Sequence, residues 1–190
     1  MTDRVFITGV AGFLGSHLAD AFRERGYEVA GNDSLVSGYE RNVPTDIEFH
    51  AVDCRNHEAM TQAMSDADIV YHTAALPYEG LSVFAPTQIS ESIATATTAT
   101  LTAAVNNDVR RFVYCSSMSR YGENEVPFTE DMDPAPQDPY AVSKVAGERM
   151  TRVMADAHGL EYNIAVPHNI IGPRQRFDDP FRNVAAIFIN

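Results

Sequence analysis

The sequence predicts an α/β protein with a doubly wound, open parallel sheet, and three observations carry that prediction. Short apolar runs alternate with helical stretches along the chain, the pattern of successive strand–helix–strand units. Gly9, Gly12 and Gly15 punctuate the step from the first apolar run into the first helical one. No linker, internal repeat or low-complexity stretch divides the 190 residues, a length that suits one domain with a substantial core.

The elements follow in order. Arg4 to Thr8 reads as a buried first strand. Gly12 to Arg25 reads as a helix with Leu14, Leu18, Ala21 and Phe22 on one face and Gly26 as its stop. Tyr27 to Asn32 and Ile47 to Val52 are the next strands, Asn56 to Met64 is a helix, and Asp68 to His72 is the fourth strand. An Ala/Thr-rich helix from Ile89 to Asn106 leads to a strand at Phe112 to Cys115. A Pro-rich loop, Val126 to Pro139, delivers the chain into a helix from Tyr140 to about His158, and Tyr162 to Val166 is the sixth strand. Asn183 to Asn190 reads as an apolar helix with no cap or glycine behind it, so the chain is expected to be a fragment of a longer one.

Composition narrows the partners. With 45% hydrophobic and 21% charged residues the chain is expected to be soluble and globular, and no run of about eighteen apolar residues offers a membrane span. The first residues enter a strand pattern directly, which leaves no room for a signal or transit peptide, so cytoplasm is the expected compartment. A net charge of −12 argues against a nucleic-acid partner, whose phosphates call for clustered Lys and Arg. Cys54 and Cys115 are too few for a disulfide framework and read as plain buried thiols. His17, His50, His57 and His158 are scattered, and no metal site is expected. Phe22, Phe112, Met150 and Met154 read as core, and Arg110 with Arg111 as a solvated turn. Thirteen Arg accompany a single Lys, Lys144, and a compact ammonium with a tunable proton affinity invites a chemical reason for its place.

The glycine turn is the first functional signal. Thr8-Gly9-Val10-Ala11-Gly12-Phe13-Leu14-Gly15 follows a strand and opens a helix, the context in which such glycines give a tight turn, a bare backbone and close helix packing. The helix start then offers free N–H groups and a positive dipole end to a pyrophosphate. Asp33 stands at the tip of the second strand, where a carboxylate accepts both adenosine ribose hydroxyls and repels a 2′-phosphate. Ser34, Leu35 and Val36 follow with no Arg among them, so NAD is favoured over NADP.

The second signal is Asp138-Pro139-Tyr140-Ala141-Val142-Ser143-Lys144. Tyr and Lys four residues apart share one helix face, and an ammonium beside a phenol favours the phenolate. Such a Tyr can take a hydroxyl proton as hydride leaves the same carbon. Between the two signals lies Tyr114-Cys115-Ser116-Ser117-Met118-Ser119-Arg120-Tyr121-Gly122, at the C-terminal end of the fifth strand. Ligands of open α/β sheets bind outside such strand ends, and a hydroxyl there can hold the reacting oxygen in line. Spacing alone does not choose among the three serines.

Together these residues resemble the extended short-chain dehydrogenase/reductases, the family that includes nucleotide-sugar epimerases. The resemblance covers essentially the whole chain: the glycine loop, Asp33, the Asp53 turn, Tyr71-His72-Thr73-Ala74-Ala75, the serine strand end, Tyr140 and Lys144, and His168-Asn169-Ile170-Ile171-Gly172-Pro173-Arg174. It implies a Rossmann fold, with residues 1–166 as an NAD-binding domain carrying the catalytic Ser, Tyr and Lys. Residues 167–190 would begin a substrate-binding region that is cut short, with the C-terminal substrate domain largely missing. Tyr140 would be the base, Lys144 would hold the nicotinamide ribose and tune Tyr140, and Ser117, four residues before Tyr121-Gly122, would be the helping hydroxyl. Gly9, Gly12, Phe13, Leu14 and Gly15 would hold the pyrophosphate, with Asp33 on the ribose, Asp53 and Cys54 beside the adenine, and Ala74 and Ala75 leaving room for the cofactor. Ser117, Met118, Tyr140 and Asn169 would meet the substrate, a UDP-sugar, in a homodimer joined through the long helices.

The resemblance implies an NAD-dependent 4-epimerase, which removes and returns hydride at C4 of a nucleotide sugar. A sibling dehydratase, such as a 5,6-dehydratase, or a decarboxylase would start with the same Ser, Tyr and Lys. Cys115, His72 and the Tyr78-Glu79 loop are candidates for an extra group. A non-catalytic NAD sensor is the reading of another class, and loss of Tyr140 or Lys144 would have been its mark. Three departures stand out: Ile93 and Val166 occupy positions where relatives commonly have Asn and Arg, and Met118-Ser119 replaces the Asp-Glu of the 4,6-dehydratases.

Overall fold

The computed structural model describes residues 2–176 together with Asp178 and Phe188. Six strands form one sheet: β1 (Arg4–Thr8), β2 (Glu28–Asn32), β3 (Glu48–His50), β4 (Ile69–His72), β5 (Arg111–Cys115) and β6 (Glu161–Ala165). Their order is β3-β2-β1-β4-β5-β6, and every neighbouring pair is parallel. The order reverses between β1 and β4, which opens a crevice at their C-terminal ends.

Alternation along β1 sorts its side chains between two cores. Val5 and Ile7 join Val29 and Ala19 on one face, against Leu18 and Phe22 of α1 (Phe13–Glu24). Phe6 points the other way, into the larger core with Val70, Phe112 and Tyr114. That core is closed by Met60 and Ala63 of α2 (His57–Ala63), Leu101 and Ala104 of α5 (Ala96–Asn106), and Ala155 of α6 (Pro139–His158). Phe6 and Phe112 are fully buried, and cutting either to Ala costs about 3–5 kcal/mol.

The chain marks its helix ends as sequence rules anticipate. Asn56 accepts the Ala59 N–H and Asp138 accepts the Ala141 N–H, at 2.9 Å, while Pro139 takes the first turn of α6, where no N–H is needed. Gly159 ends α6 in the left-handed region, φ +70°.

The differences are local. The buried positions of α1 are Gly15, Ser16 and Ala19, so the expected stripe is shifted. Leu18 and Phe22 pack at its edge, Leu14 lines the crevice, and Ala21 lies outside the core. A short helix, α3 (Glu79–Ser82), opens within the Tyr78-Glu79 segment read as a loop, and the helix expected from Ile89 begins earlier, as α4 (Pro86–Ser90), which a π turn over Glu91–Thr95 joins to α5. Arg111 opens β5 and pairs with Glu161 across to β6 rather than lying in a turn. Met150 was expected in the core but sits on the exposed side of α6. Val166 follows β6 instead of ending it. Apart from Phe188, the helix expected at Asn183 to Asn190 lies outside the described residues.

Candidate active site

A cleft of about 560 Å³ runs over the C-terminal ends of β1, β2, β4 and β5, within the size range of ligand sites. Its floor is the glycine turn, and each glycine there has a separate task. Gly9 lies in the left-handed region, φ +70°, and a Cβ on it would stand 2.9 Å from Ala74 Cα. Gly15 packs so closely on the turn that a Cβ would stand 2.2 Å from Gly9 O. At Gly12 a Cβ would meet one atom within 4 Å, Gly9 O at 3.1 Å, and would otherwise project into the cleft. Gly12 also precedes α1 and offers no side chain to cap it. The N–H groups of Phe13, Leu14 and Gly15 have no carbonyl one turn back to bind, and all three residues line the cleft. Open floor, free donors and a helix dipole fit a pyrophosphate.

Asp33 stands at the end of β2, buried, with Oδ2 accepting the Ala11 N–H at 3.0 Å and Oδ1 the Leu35 N–H at 2.8 Å. Both oxygens keep a further lone pair, and burial holds the carboxyl above the ordinary aspartate range despite those two bonds. Asn32 donates to Val52 O at 2.9 Å and to Cys54 Sγ at 3.3 Å, which draws the Asp53–Cys54 turn to the tip of β2. Asp53 lines the cleft in the fork of Arg55, at 2.7 Å, and that guanidinium holds it below the usual range. Burial pushes the Cys54 thiol up to about 11. Ala74 and Ala75 line the opposite wall, and the Ala74 N–H is held by Thr8 Oγ1. These residues could hold the adenosine half of a dinucleotide, with Asp33 on its ribose.

The β5 end of the cleft is built from side chains. Tyr140 and Lys144 project from the first two turns of α6 and line the cleft with Ser117. Lys144 is 4% exposed; its Nζ donates to Cys115 O at 2.8 Å and stands 5.9 Å from the Tyr140 ring centre. Burial pulls its proton affinity down, but the surrounding Tyr114, Tyr140, Cys115 and Glu148 charges outweigh that, and it ends above the ordinary lysine range. The three serines diverge. Ser116 donates to Glu148 at 2.5 Å and Ser119 donates to Ser117 at 2.9 Å. Ser117 Oγ accepts from Ser119, so its own proton is available to the cleft.

Other expected residues fall into place unevenly. Asn169 reaches the cleft wall in the left-handed region, φ +45°. Met118 is not brought to that wall; it opens a 3₁₀ turn at Met118–Tyr121, with its N–H on Pro167 O at 3.3 Å. His72 is sealed beneath the floor between Thr8 and Thr97, at 2.9 and 3.1 Å. Burial, reinforced by Lys144, pulls it down to about 3, so it stays neutral. Cys115 and Glu79 do reach the cleft; burial raises both, with Asp138 adding to the effect at Glu79. Ile93 packs in the buried cluster that includes Tyr140. Among the described residues no group of His, Cys, Asp or Glu could hold a metal.

Sequence reading missed Arg55, Tyr39 and Arg176, which also line the cleft. The Arg55–Asp53 adjacency was visible as opposite charges two residues apart. Tyr39 and Arg176 meet face to cation, 5.3 Å apart, across a sequence separation that no local pattern reveals.

The strand order, the bare phosphate floor, the acid at β2 and the Ser–Tyr–Lys end define a short-chain dehydrogenase/reductase of the extended type. Residues 5–190 match the NAD dependent epimerase/dehydratase family, and the chain belongs to that family. It is 34% identical to a UDP-glucose 4-epimerase of Streptomyces lividans over 177 residues, 90% of this chain and 54% of that one. Among solved structures, a UDP-glucose 4-epimerase of Thermotoga maritima with UDP-glucose superposes with a TM-score of 0.93 at 30% identity, covering 97% of this chain and 61% of the other. A Thermus thermophilus UDP-glucose 4-epimerase in complex with NAD gives 0.89 at 33% identity, covering 98% and 60%. The chain thus spans between half and two thirds of the length of these relatives.

Proposed function

We propose that this chain is the NAD-binding and catalytic part of a nucleotide-sugar 4-epimerase. The observation that carries the reading is one continuous cleft with a bare phosphate floor and Asp33 at one end and Ser117, Tyr140 and Lys144 at the other. Residues 1–166 form the NAD-binding domain in this proposal, and 167–190 begin the substrate-binding region. The Phe13, Leu14 and Gly15 N–H groups would take the pyrophosphate and Asp33 the adenosine ribose, while Asp53, Cys54, Ala74 and Ala75 border the adenosine and nicotinamide halves. Bound NAD supplies a reversible hydride acceptor.

The protein's own part is proton handling and alignment. Tyr140 takes the proton of the C4 hydroxyl, and Ser117 donates a hydrogen bond to the same oxygen. Lys144 supplies a fixed positive charge beside the phenol and reaches the nicotinamide ribose. After the 4-keto sugar turns over and presents its other face to the returning hydride, Tyr140 gives the proton back to the C4 oxygen. Asn169, on the cleft wall, would meet the substrate's diphosphate. A UDP-sugar is the favoured substrate, supported by the likeness to UDP-glucose 4-epimerases.

The test uses full-length protein with NAD and a panel of UDP- and TDP-sugars, followed by product analysis. Inversion at C4 without accumulating NADH is expected. Net NADH release, loss of water or loss of CO₂ would move the assignment to a dehydrogenase, dehydratase or decarboxylase. Tight NAD binding with no sugar-nucleotide turnover would move it to the sensor.

A homodimer is part of the proposal. Val142, Ala146, Met150, Val153 and Ala157 make an exposed apolar stripe along α6, repeating every three to four residues as a helix-packing face does. Val153→Glu should turn the dimer to monomer in sedimentation; an unchanged mass removes this face from the interface. Free thiols at Cys54 and Cys115 suit a reducing compartment, and we place the protein in the cytoplasm. No helix among the described residues is long and apolar enough to cross a membrane.

A further inference from the structure

Glu148 is fully buried, with a side chain at 0% exposure, one helical turn beyond Lys144 and two beyond Tyr140. A carboxylate taken out of water costs several kcal/mol unless it is paired. Glu148 finds its partners on both sides of one residue. Ser116 donates to Oε1 at 2.5 Å, and Arg120, itself 5% exposed, brings Nε to 2.9 Å from the same oxygen as an ion pair without hydrogen-bond geometry. Arg152 Nη1 stands 3.8 Å from Oε2, which accepts no hydrogen bond from the described residues. Ser117 lies between the two tethered positions, and its carbonyl accepts the Arg120 N–H at 3.1 Å.

The same strand end is fastened to α6 at three more points. Tyr114 donates to Lys144 O at 3.3 Å, and Lys144 Nζ donates to Cys115 O at 2.8 Å. A Cβ at Gly147 would stand 2.2 Å from the Tyr114 hydroxyl, so the helix can approach this closely only with glycine there. These contacts set the height of α6 over β5. None of them reaches past Ser116 to fix where the chain turns, and Glu148 does that from both flanks.

We propose that Glu148 is a positioning residue: its buried carboxylate pins Ser116 and Arg120 to α6 and so sets Ser117 opposite Tyr140 and Lys144. The proposal rests on the Ser–Tyr–Lys chemistry set out above. A buried ion pair is poor evidence for stability, since an apolar replacement is often as stable; beside a reacting centre its use is to fix geometry.

A double-variant cycle on the full-length enzyme tests this, with Glu148→Gln and Ser117→Ala measured singly and together. Glu148→Gln should lower kcat by about ten- to a hundred-fold, the cost of a misplacement near 1 Å, with KM and NAD affinity within about two-fold. Ser117→Ala should then cost markedly less in the Glu148→Gln background than alone, because a misplaced hydroxyl has less left to lose. Ser116→Ala, which cuts one tether without stranding a charge, should lower kcat by about three- to ten-fold, the worth of one hydrogen bond. Amide hydrogen exchange gives a readout free of substrate: in Glu148→Gln the Arg120 and Ala135 amides should exchange at least about ten-fold faster while Ile7 and Val70 stay protected. Effects of Glu148 and Ser117 that simply multiply, or exchange that rises uniformly or not at all, overturn the proposal. Should the wild type convert no nucleotide sugar, the epimerase reading falls alone, and the exchange result still decides the tether.

Discussion

At the β1 end of the cleft the surface offered to a ligand is backbone, three glycines and the free N–H groups of a helix start; at the β5 end it is side chain, held by buried charges. The first end needs the absence of atoms. Gly9 and Gly15 have no room for a Cβ, and on Gly12 one would crowd Gly9 O at 3.1 Å and stand in the cleft that a ligand needs. The second end needs particular atoms in place, and it keeps them there with Lys144, Glu148 and Arg120, all buried. The difference suggests a division of labour: the backbone end decides whether a dinucleotide binds, and the side-chain end decides what happens afterwards.

Substitutions can break that division, and the largest effect should come from the backbone end. Gly15→Ala forces a Cβ to within 2.2 Å of Gly9 O, a backbone atom that cannot step aside. It should cost about 3 kcal/mol, the upper range for overpacking, and remove NAD binding with it. Calorimetry on the full-length variant checks both, and retained NAD affinity would show that the turn is not the phosphate floor.

Asp33 comes next. Asp33→Asn should weaken NAD by about ten- to a hundred-fold, the worth of one charged hydrogen bond or slightly more. Burial raises its proton affinity in the free protein, whereas two ribose hydroxyls donating to it favour the ionised form. NAD affinity should therefore be level at neutral pH and fall as the pH drops through the raised value, beginning above the pH at which an ordinary aspartate would protonate. In Asp33→Asn this dependence should disappear, and a wild-type profile as flat as the variant's would remove the carboxylate from the ribose.

The smallest effect sharpens the comparison. Gly80 also lines the cleft, but nothing lies within 4 Å of a Cβ built on it, and it sits in α3. Gly80→Ala should raise stability by about 0.5–1 kcal/mol, the helix preference for Ala, and a thermal melt reads the sign directly.

The two ends were also unequally legible. The phosphate floor follows from Gly9, Gly12 and Gly15 between a strand and a helix, because backbone constraints act over a few residues. Tyr140 and Lys144 were visible for the same reason, four residues apart on one helix. The Ser116–Glu148–Arg120 tether was not, since it joins β5 to α6 across thirty-two residues and Glu148 reads locally as a surface acid. The short helix α3 and the first turn of α4 were hidden in a Pro- and Gly-containing stretch that packs Tyr78 and Ile89 into one cluster with Tyr140. Met150 illustrates the opposite failure: an apolar helix residue taken for core stands on the exposed stripe of α6. The family resemblance put Met118 with the substrate; it opens the 3₁₀ turn after Ser117 and is not among the residues that line the cleft.

The division of labour is tested most directly by Tyr140→Phe in the full-length protein, with NAD affinity and turnover of the same nucleotide sugar measured side by side. The phenyl ring keeps the packing against Ile93 and loses one oxygen. NAD affinity should stay within about two-fold while kcat falls by about 10²–10⁴, the usual worth of a positioned acid–base group. An unchanged rate, or a loss of NAD affinity as large as the loss of rate, would contradict the account.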